Sequence, residues 1–299
     1  MFSCRRFLVF TLLLIALFGL VCVYTGWLEM TAFRLLLRTS EESRLGLENY
    51  CVRIDAQPIA GIGSNVSGLT YHPGRNTLFS VINRPPQIIE LTLDGRLKRR
   101  IPIKGVEDVE GISHMRGDEF FISDERVQRL IHVRIDDDQH EIDVRDRPYI
   151  GLAFDLAGNF GLEGVSWDHV RGRLFVVKEK RPLRLFELSG LTDLLDERAL
   201  RLRIGEWPLR DSFAWLLRDL SSLTYHEDSG NMLLLSDESR LIVELGPQRQ
   251  ISGLLVLRRG WHGLKADAPQ AEGIAVGAHG EIFVVSEPDL FYRFDPQCR

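Results

Sequence analysis

The sequence predicts an all-β protein: a five-bladed β-propeller closed by an N-terminal strand in the last blade and preceded by one transmembrane helix. Three observations lead to this prediction: a motif that recurs five times, strand-like segments after each copy, and an extra strand before the first copy. The motif is Glu-Gly plus an aliphatic residue, and two weaker copies begin with Ser. The copies begin at Ser67, Glu110, Glu163, Ser221 and Glu272, at intervals of 43, 53, 58 and 51 residues. Repeats of this length are typical of solenoids and propellers.

Each copy continues with short β-branched and aromatic segments that are separated by turns. Gly, Asp, Asn and His fill the turn between the first and second segments, because these residues tolerate left-handed backbone or bond to it. A second and a third strand follow in every copy, and four copies have a fourth strand. The predicted fourth strands are residues 97–103, 141–144, 199–204 and 251–257. Four strands per repeat indicate propeller blades.

The fifth copy reaches Arg299 after three strands, whereas residues 49–55 form a strand without a blade. Pairing this strand into the last blade would close the ring and remove an open sheet edge. It would also bring Cys51 beside the tail that holds Cys298, and a disulfide forms if the two Cα atoms come within ~7 Å. We therefore predict a Cys51–Cys298 disulfide; the alternative is two free cysteines.

The chain begins with Arg5 and Arg6 and then an uncharged run from Phe7 to Leu28. A helix over this run is long enough to cross a bilayer core of about 30 Å. A cleaved signal peptide is the alternative, although its apolar region would be shorter and would end in small residues. The predicted domains are a cytoplasmic tail and anchor (1–28), a juxtamembrane stalk (29–48) and the propeller (49–299).

Orientation follows from charge and from the cysteines. Arg5 and Arg6 favour a cytoplasmic N-terminus, although arginines beyond the run reduce the asymmetry. A disulfide between Cys51 and Cys298 would persist in an oxidising compartment. We therefore expect a single-pass protein of the bacterial inner membrane with its propeller in the periplasm.

Composition argues against several classes of function. The 299 residues include 37 basic and 42 acidic side chains, for a net charge of −5. A nucleic-acid partner is therefore not expected, because such proteins present a basic surface. The sequence also contains no Cys-x-x-Cys pair, no Gly-x-Ser-x-Gly elbow, no P-loop and no His-Glu-x-x-His.

Acidic side chains recur at two places in the repeats. The opening motif supplies an inner column of Glu110, Glu163 and Glu272. The end of the second strand supplies an outer column of Glu125, Glu179, Glu238 and Glu287, and Asp108 lies two residues before one motif. Antiparallel pairing puts the start of the first strand and the end of the second at the same end of a sheet. We therefore expect a funnel of seven glutamates at one face.

So many carboxylates cannot all stay ionised in a small volume without a counter-charge. An oxygen-rich ligand set without histidine is typical of Ca²⁺, with Mg²⁺ or Mn²⁺ as the next choices. The predicted metal ligands are the seven glutamates and Asp108. The alternative is that the glutamates bond to the backbone of the neighbouring blade and lock the ring.

Histidines recur near the turn between the first and second strands. They are His72, His114, His169, His226 and His279. These turns open on the face opposite the glutamates, so we interpret the histidines as turn residues and do not expect a His–Glu catalytic pair.

Several segments together resemble the SdiA-regulated family. They include Asn-Val-Ser-Gly-Leu-Thr at 65–70, Phe-Ile-Ser-Asp-Glu-Arg at 121–126 and Gln-Ala-Glu-Gly-Ile-Ala at 270–275, and the resemblance covers about 49–296. That family is described as membrane-anchored, with a C-terminal five-bladed propeller distantly similar to NHL repeats and a calcium site. The resemblance implies five blades and Ca²⁺, and it implies no activity. Ser222 replaces the motif glycine in the fourth copy.

These patterns together favour a membrane-tethered, calcium-binding propeller that acts as a binding or scaffold module. Its ligand would be a small molecule or a protein at the carboxylate-lined face. The alternative is a metal-dependent hydrolase of the lactonase or phosphotriesterase type, in which the metal polarises a carbonyl or phosphoryl oxygen. Glu125 or Glu238 would then be the base.

Overall fold

The fold is described from a computed structural model. It describes residues 10–15, 17, 19, 45–63, 65–152, 161–180, 182–195, 201–209 and 216–297. The chain divides into two compact units, Met1–Glu42 and Ser43–Arg299. In the first unit, residues 10–15, 17 and 19 are helical, and no helix within the described residues is both long and apolar enough to cross a membrane. Most of the predicted anchor and stalk lies outside the described residues.

The second unit consists of five sheets in chain order, which we call blades 1 to 5. Blade 1 contains β2 (Val66–His72), β3 (Thr77–Asn83), β4 (Pro86–Leu91) and β5 (Leu97–Lys104), and β9 (Ile142–Asp143) joins its edge. Blade 2 contains β6 (Val109–Arg116), β7 (Glu119–Asp124), β8 (Arg129–Arg134) and β10 (Tyr149–Gly151). Blade 3 contains β11 (Leu162–Asp168), β12 (Arg173–Lys178), β13 (Arg184–Ser189) and β14 (Arg203–Trp207), and the short helix α1 (Thr192–Leu195) precedes β14. Blade 4 contains β15 (Ser222–His226), β16 (Asn231–Ser236), β17 (Leu241–Leu245) and β18 (Ile251–Val256). Blade 5 contains β19 (Ala271–Val276), β20 (Ile282–Ser286), β21 (Leu290–Asp295) and β1 (Cys51–Pro58), and a 3₁₀ turn (Leu47–Asn49) precedes β1.

The first strands of the blades form a closed ring. Contacts run from β2 to β6, β11, β15 and β19 in turn, and from β19 back to β2. Hydrophobic layers fill the space between adjacent blades, as where Phe79 of blade 1 packs on Phe120 of blade 2 with ring centroids 4.8 Å apart. The five-bladed propeller predicted from the repeats is therefore confirmed.

The N-terminal strand closes the last blade, as predicted. β1 pairs antiparallel with β21, and Cys51 lies opposite Asp295. Cys51 is disulfide-bonded. Its predicted partner, Cys298, lies outside the described residues, so that pairing stays a prediction.

The predicted fourth strand of blade 2 is wrong. Residues 142–143 pair in parallel with β5 of blade 1, with Ile103 opposite Ile142. The fourth strand of blade 2 is β10, which pairs with β8. Ile142 and Val144 are buried in the hydrophobic layer between blades 1 and 2, so their apolar spacing reflects that layer and not the edge of blade 2.

Candidate functional site

A β-bulge at the Glu-Gly motif begins the inner strand of three blades. The register shifts between Val109 and Gly111, between Leu162 and Val165, and between Ala271 and Gly273. A bulge adds one residue to a strand and turns a side chain away from the ladder. Glu110, Glu163 and Glu272 therefore lie at irregular positions of the inner ring and not within regular pairing.

The motif glycines allow the inner strands to approach closely. A Cβ on Gly111 would lie 2.4 Å from the Glu163 carbonyl oxygen, and one on Gly273 would lie 2.7 Å from the Gly68 carbonyl carbon. Both distances are shorter than any non-bonded contact that a Cβ atom makes, and both would be to backbone atoms, which cannot move aside as a flexible side chain can. Glycine recurs here because each blade packs on the backbone of the next.

Carboxylates of blades 2 and 3 form two overlapping groups at the end of the ring where the inner strands begin, which we call the acidic face. The ligand oxygens of Asp108, Glu110 and Glu125 lie within 4.8 Å of one another, and so do those of Glu125, Glu163 and Glu179. Glu125 belongs to both groups. The predicted convergence of inner and outer carboxylates is thus present for Glu110, Glu125, Glu163 and Glu179, and Asp108 lies beside them.

Glu125 reaches blade 3 because the residue beneath it is glycine. A Cβ on Gly161 would lie 1.5 Å from Cγ of Glu125. The Gly161 N–H donates to Glu125 Oε1 across 3.2 Å. The Glu125 carboxylate is therefore held over the backbone that leads into the Glu163 motif.

Burial and mutual repulsion raise the pKa values of the inner carboxyls. Burial is the first cause in each case: it raises the pKa of Glu110 to about 7 and that of Glu272 to about 9, and it raises the pKa of Glu163 well above its usual range. The charges that further raise the pKa of Glu163 are those of Glu110, Glu125, Glu179 and Glu272. Three blades thus contribute to one negative potential.

Cations partly offset this potential at its edge. Arg126 lies 3.3 Å from Asp108, and Lys180 pairs with both Glu179 and Glu238. Two buried oxygens, Oδ1 of Asp108 and Oδ1 of Asn83, have no hydrogen-bond partner among the described residues.

In blade 4 the register places a different residue in the outer column from the one predicted. In blade 5 the motif glycine, Gly273, pairs with Val285, which lies two residues before Glu287. In blade 4 the equivalent residue, Ser222, pairs with Leu235, which lies two residues before Asp237. Asp237, and not Glu238, therefore occupies the column. Glu238, which the aligned repeats predict for this column, is the next residue along the chain.

The two residues differ accordingly in their surroundings. After burial, the charge of Asp237 is the largest cause that raises the pKa of Glu272. Glu238 is 47% exposed, lies 3.2 Å from Lys180 and belongs to neither carboxylate group. Glu287 accepts a long hydrogen bond of 3.5 Å from Asn65.

The other end of the ring, where the inner strands end, carries histidines, as predicted. His169 contacts His114 with a nitrogen–nitrogen distance of 3.2 Å, and its Nδ1 lies 2.6 Å from Glu227 Oε1. His169 therefore pairs with Glu227, which follows β15 in the neighbouring blade, and not with a glutamate of the acidic face. Glu227 does not stand out among the repeats, because its position is not acidic in the other copies.

Known structures share this architecture at low identity. A luciferin-regenerating enzyme is 14% identical with a TM-score of 0.51, over 81% of this chain and 95% of that chain. A streptogramin B lyase is 9% identical with a TM-score of 0.49, over 85% and 99%. A virginiamycin B lyase from Staphylococcus aureus is 12% identical with a TM-score of 0.42, over 79% and 68%. The first likeness supports the fold and nothing finer, and the other two support no conclusion.

The family comparison covers most of the chain. Residues 42–295 match the model of the family described as SdiA-regulated. This range contains all five blades and both carboxylate groups of the acidic face. The protein therefore belongs to the SdiA-regulated family.

Proposed function

We propose that the protein is a calcium-binding propeller that serves as a membrane-tethered binding module. The observation that carries this proposal is the convergence of five carboxylates from blades 2 and 3, with Glu125 common to both groups. One divalent cation would neutralise charges that otherwise force protons onto Glu110 and Glu163.

The residues present fit such an ion. Asp108, Glu110, Glu125, Glu163 and Glu179 would hold it, and all their ligand atoms are oxygens, which Ca²⁺ and Mg²⁺ prefer. The buried oxygens of Asp108 and Asn83 that lack a hydrogen-bond partner are suited to face a cation or its water. Bound there, the ion would supply a fixed positive charge that attracts an oxygen atom of a ligand.

The alternative role for these glutamates is to lock neighbouring blades together. Serine hydroxyl groups already connect neighbouring blades in this way. Hydroxyl groups donate to the backbone carbonyl of the next blade: Ser67 to Glu110 across 2.9 Å and Ser221 to Ala271 across 2.7 Å. Glu110 and Glu125 also bond to neighbouring blades. We use Glu163 to test metal binding, because it is buried and its carboxylate oxygen lies within 4.8 Å of those of Glu125 and Glu179.

Isothermal calorimetry with Ca²⁺ tests the proposal on wild-type protein, Glu163→Gln and the matched control Glu238→Gln. We expect wild type and Glu238→Gln to bind alike, and Glu163→Gln to lose at least about tenfold in affinity, because one charged ligand is removed. Equal affinities in all three proteins would reject Glu163 as a ligand. The hydrolase alternative stays a prediction, which Ca²⁺-dependent turnover of a lactone or an organophosphate would support.

The tether is supported by the uncharged run from Phe7 to Leu28, and a periplasmic propeller by the disulfide at Cys51. We expect the full chain to stay in the membrane pellet after alkaline carbonate extraction, and a chain that begins at Ser43 to appear in the supernatant. A full chain released by carbonate would reject the tether and leave the calcium proposal untouched.

A further inference from the structure

A cavity of about 410 Å³ lies at the end of the ring opposite the acidic face. All five blades contribute to its lining, and Tyr71, Trp167 and Tyr225 make part of its wall aromatic. Glu110 and His114 are four residues apart along β6, which corresponds to about 13 Å in a strand. The cavity is thus separate from the carboxylate groups, and its volume falls within the range of small-molecule pockets, about 300–1,000 Å³.

The lining of this cavity is negatively charged. Among the described residues that form it, Glu227 and Asp228 are acidic, and none is a lysine or an arginine. Burial lowers the pKa of His114 to about 4 and also lowers the pKa of His226, so both histidines are neutral at pH 7. His169 pairs with Glu227. A proton gained by His169 therefore cancels the charge of Glu227 at most, and the charge of Asp228 is left in either case.

Two arginines contact Tyr225 from outside the lining without changing this sign. Arg171 donates to the Tyr225 hydroxyl across 3.0 Å, and the guanidinium of Arg173 lies 5.9 Å from the centre of the Tyr225 ring. Both arginines pair with the buried Asp168, and Arg173 also pairs with Glu187. Two cations thus meet two carboxylates, and the net charge of the lining stays negative.

The two acidic side chains of the lining can still accept hydrogen bonds. Glu227 accepts from the backbone N–H and from Nδ1 of His169, and both bonds end on Oε1. Among the described residues, no group donates to Glu227 Oε2 or to the carboxylate of Asp228. The Glu227 side chain is 31% exposed, so its second oxygen can meet a ligand.

A buried hydroxyl in the same lining is incompletely bonded. Ser166 is only 7% exposed, and its oxygen accepts the Tyr225 backbone N–H across 2.9 Å. That is one of the three bonds a hydroxyl can make, and Ser166 makes no other with the described residues. Buried polar groups normally have their bonds satisfied, so this hydroxyl points to a partner in the cavity.

We propose that this cavity is a second ligand site, which binds a small organic cation: a protonated amine with an aromatic or aliphatic body. The ammonium group donates to Glu227 Oε2 and to the Ser166 oxygen, and Asp228 adds its charge at a more exposed position. The aromatic wall receives the body, and its rings also attract a cation. An anion would instead be repelled by Asp228, and a neutral molecule would gain nothing from the charge.

Fluorine NMR of the full chain with 4-fluorobenzylamine at pH 7 tests this site. The neutral control is 4-fluorobenzyl alcohol, which has nearly the same shape, and the anionic control is 4-fluorobenzoate. Glu227→Gln removes one charge and keeps an oxygen that can accept from His169, and Asp228→Asn removes the other charge. Asp138→Asn is the matched control, because Asp138 is exposed and lies outside the lining.

We expect saturable binding of the amine, at least about tenfold tighter than that of the alcohol, because its hydrogen bond to Glu227 joins two charged groups. Binding should weaken about tenfold in Glu227→Gln for the same reason, and about threefold in Asp228→Asn, whose charge is exposed. Asp138→Asn should bind like wild type. The acidic face could also attract an amine, so the titration is repeated in CaCl₂, which should weaken binding no more than NaCl of equal ionic strength.

Four results would each overturn the proposal. The amine does not bind; the alcohol or the benzoate binds at least as tightly; Glu227→Gln and Asp228→Asn weaken binding no more than Asp138→Asn does; or CaCl₂ displaces the amine where NaCl does not. The last result would place the amine at the acidic face and not in the cavity.

Discussion

Glu125 of blade 2 lies directly over Gly161 of blade 3, with Cγ only 1.5 Å from where a Cβ on Gly161 would be. The contact explains how a residue that ends one strand joins carboxylates of the next blade. The acidic face therefore requires glycine at position 161 as well as the acidic residues, because a side chain there would occupy the space of Glu125. Glu125 is the one residue that both carboxylate groups contain.

Gly161→Ala should weaken calcium binding more than it affects stability. The methyl group displaces the flexible Glu125 side chain and leaves the backbone in place, so we expect about a tenfold loss of Ca²⁺ affinity in calorimetry. The melting temperature of the calcium-free protein should change little. Gly205→Ala is the control, because a Cβ there meets no atom within 4 Å. Unchanged affinity in Gly161→Ala would mean that Glu125 is not needed for binding.

Gly111→Ala should instead destabilise the whole propeller. Its Cβ would meet the Glu163 carbonyl oxygen at 2.4 Å, and the backbone of two blades must separate. Overpacking of this kind costs about 1–3 kcal/mol. Urea unfolding, compared with Gly205→Ala, measures the loss. A Gly111→Ala protein as stable as wild type would show that the inner strands can separate freely.

The calcium-free protein should lose stability as pH rises. Glu110 and Glu272 keep protons up to pKa values of about 7 and 9 in the folded state, against an ordinary value of 4.5. The folded state therefore binds more protons than the unfolded state in this range, and the free energy of unfolding falls as pH rises from 4.5 towards 9. Melting temperatures in EDTA should decline from pH 5 to pH 9, and saturating Ca²⁺ should reduce the decline. A flat profile in EDTA would contradict the raised pKa values.

The repeats predicted the blades and their closure because both follow from strand count and from the unpaired strand at 49–55. They also predicted which Glu positions share a face, since antiparallel pairing fixes that. Two details depended on strand pairing that no repeat encodes. The sequence predicts Ile142 in the fourth strand of blade 2, whereas in the structure it pairs with β5 of blade 1. Asp237 takes the place predicted for Glu238 because the register of β15 on β16 puts Ser222 opposite Leu235, without the shift that the pairing of β19 with β20 has.

The disulfide prediction concerns the closure of the ring. If Cys51 bonds to Cys298, replacing either one with Ser should lower the free energy of unfolding by the same amount, about 2–4 kcal/mol. The double replacement should cost no more than either single one. Urea unfolding measures these effects, and peptide mapping without reductant identifies the partner. A linked peptide that joins Cys51 to any other cysteine would contradict the predicted pairing.

The position of a bound ion tests the central claim most directly. Crystals grown with CaCl₂ and measured at a long wavelength should show an anomalous peak at the acidic face. Its distance to carboxylate oxygens of Glu125 and Glu163 should be about 2.3–2.6 Å, as in other calcium sites. An acidic face without a peak, in crystals of a protein that calorimetry shows to bind Ca²⁺, would contradict the account.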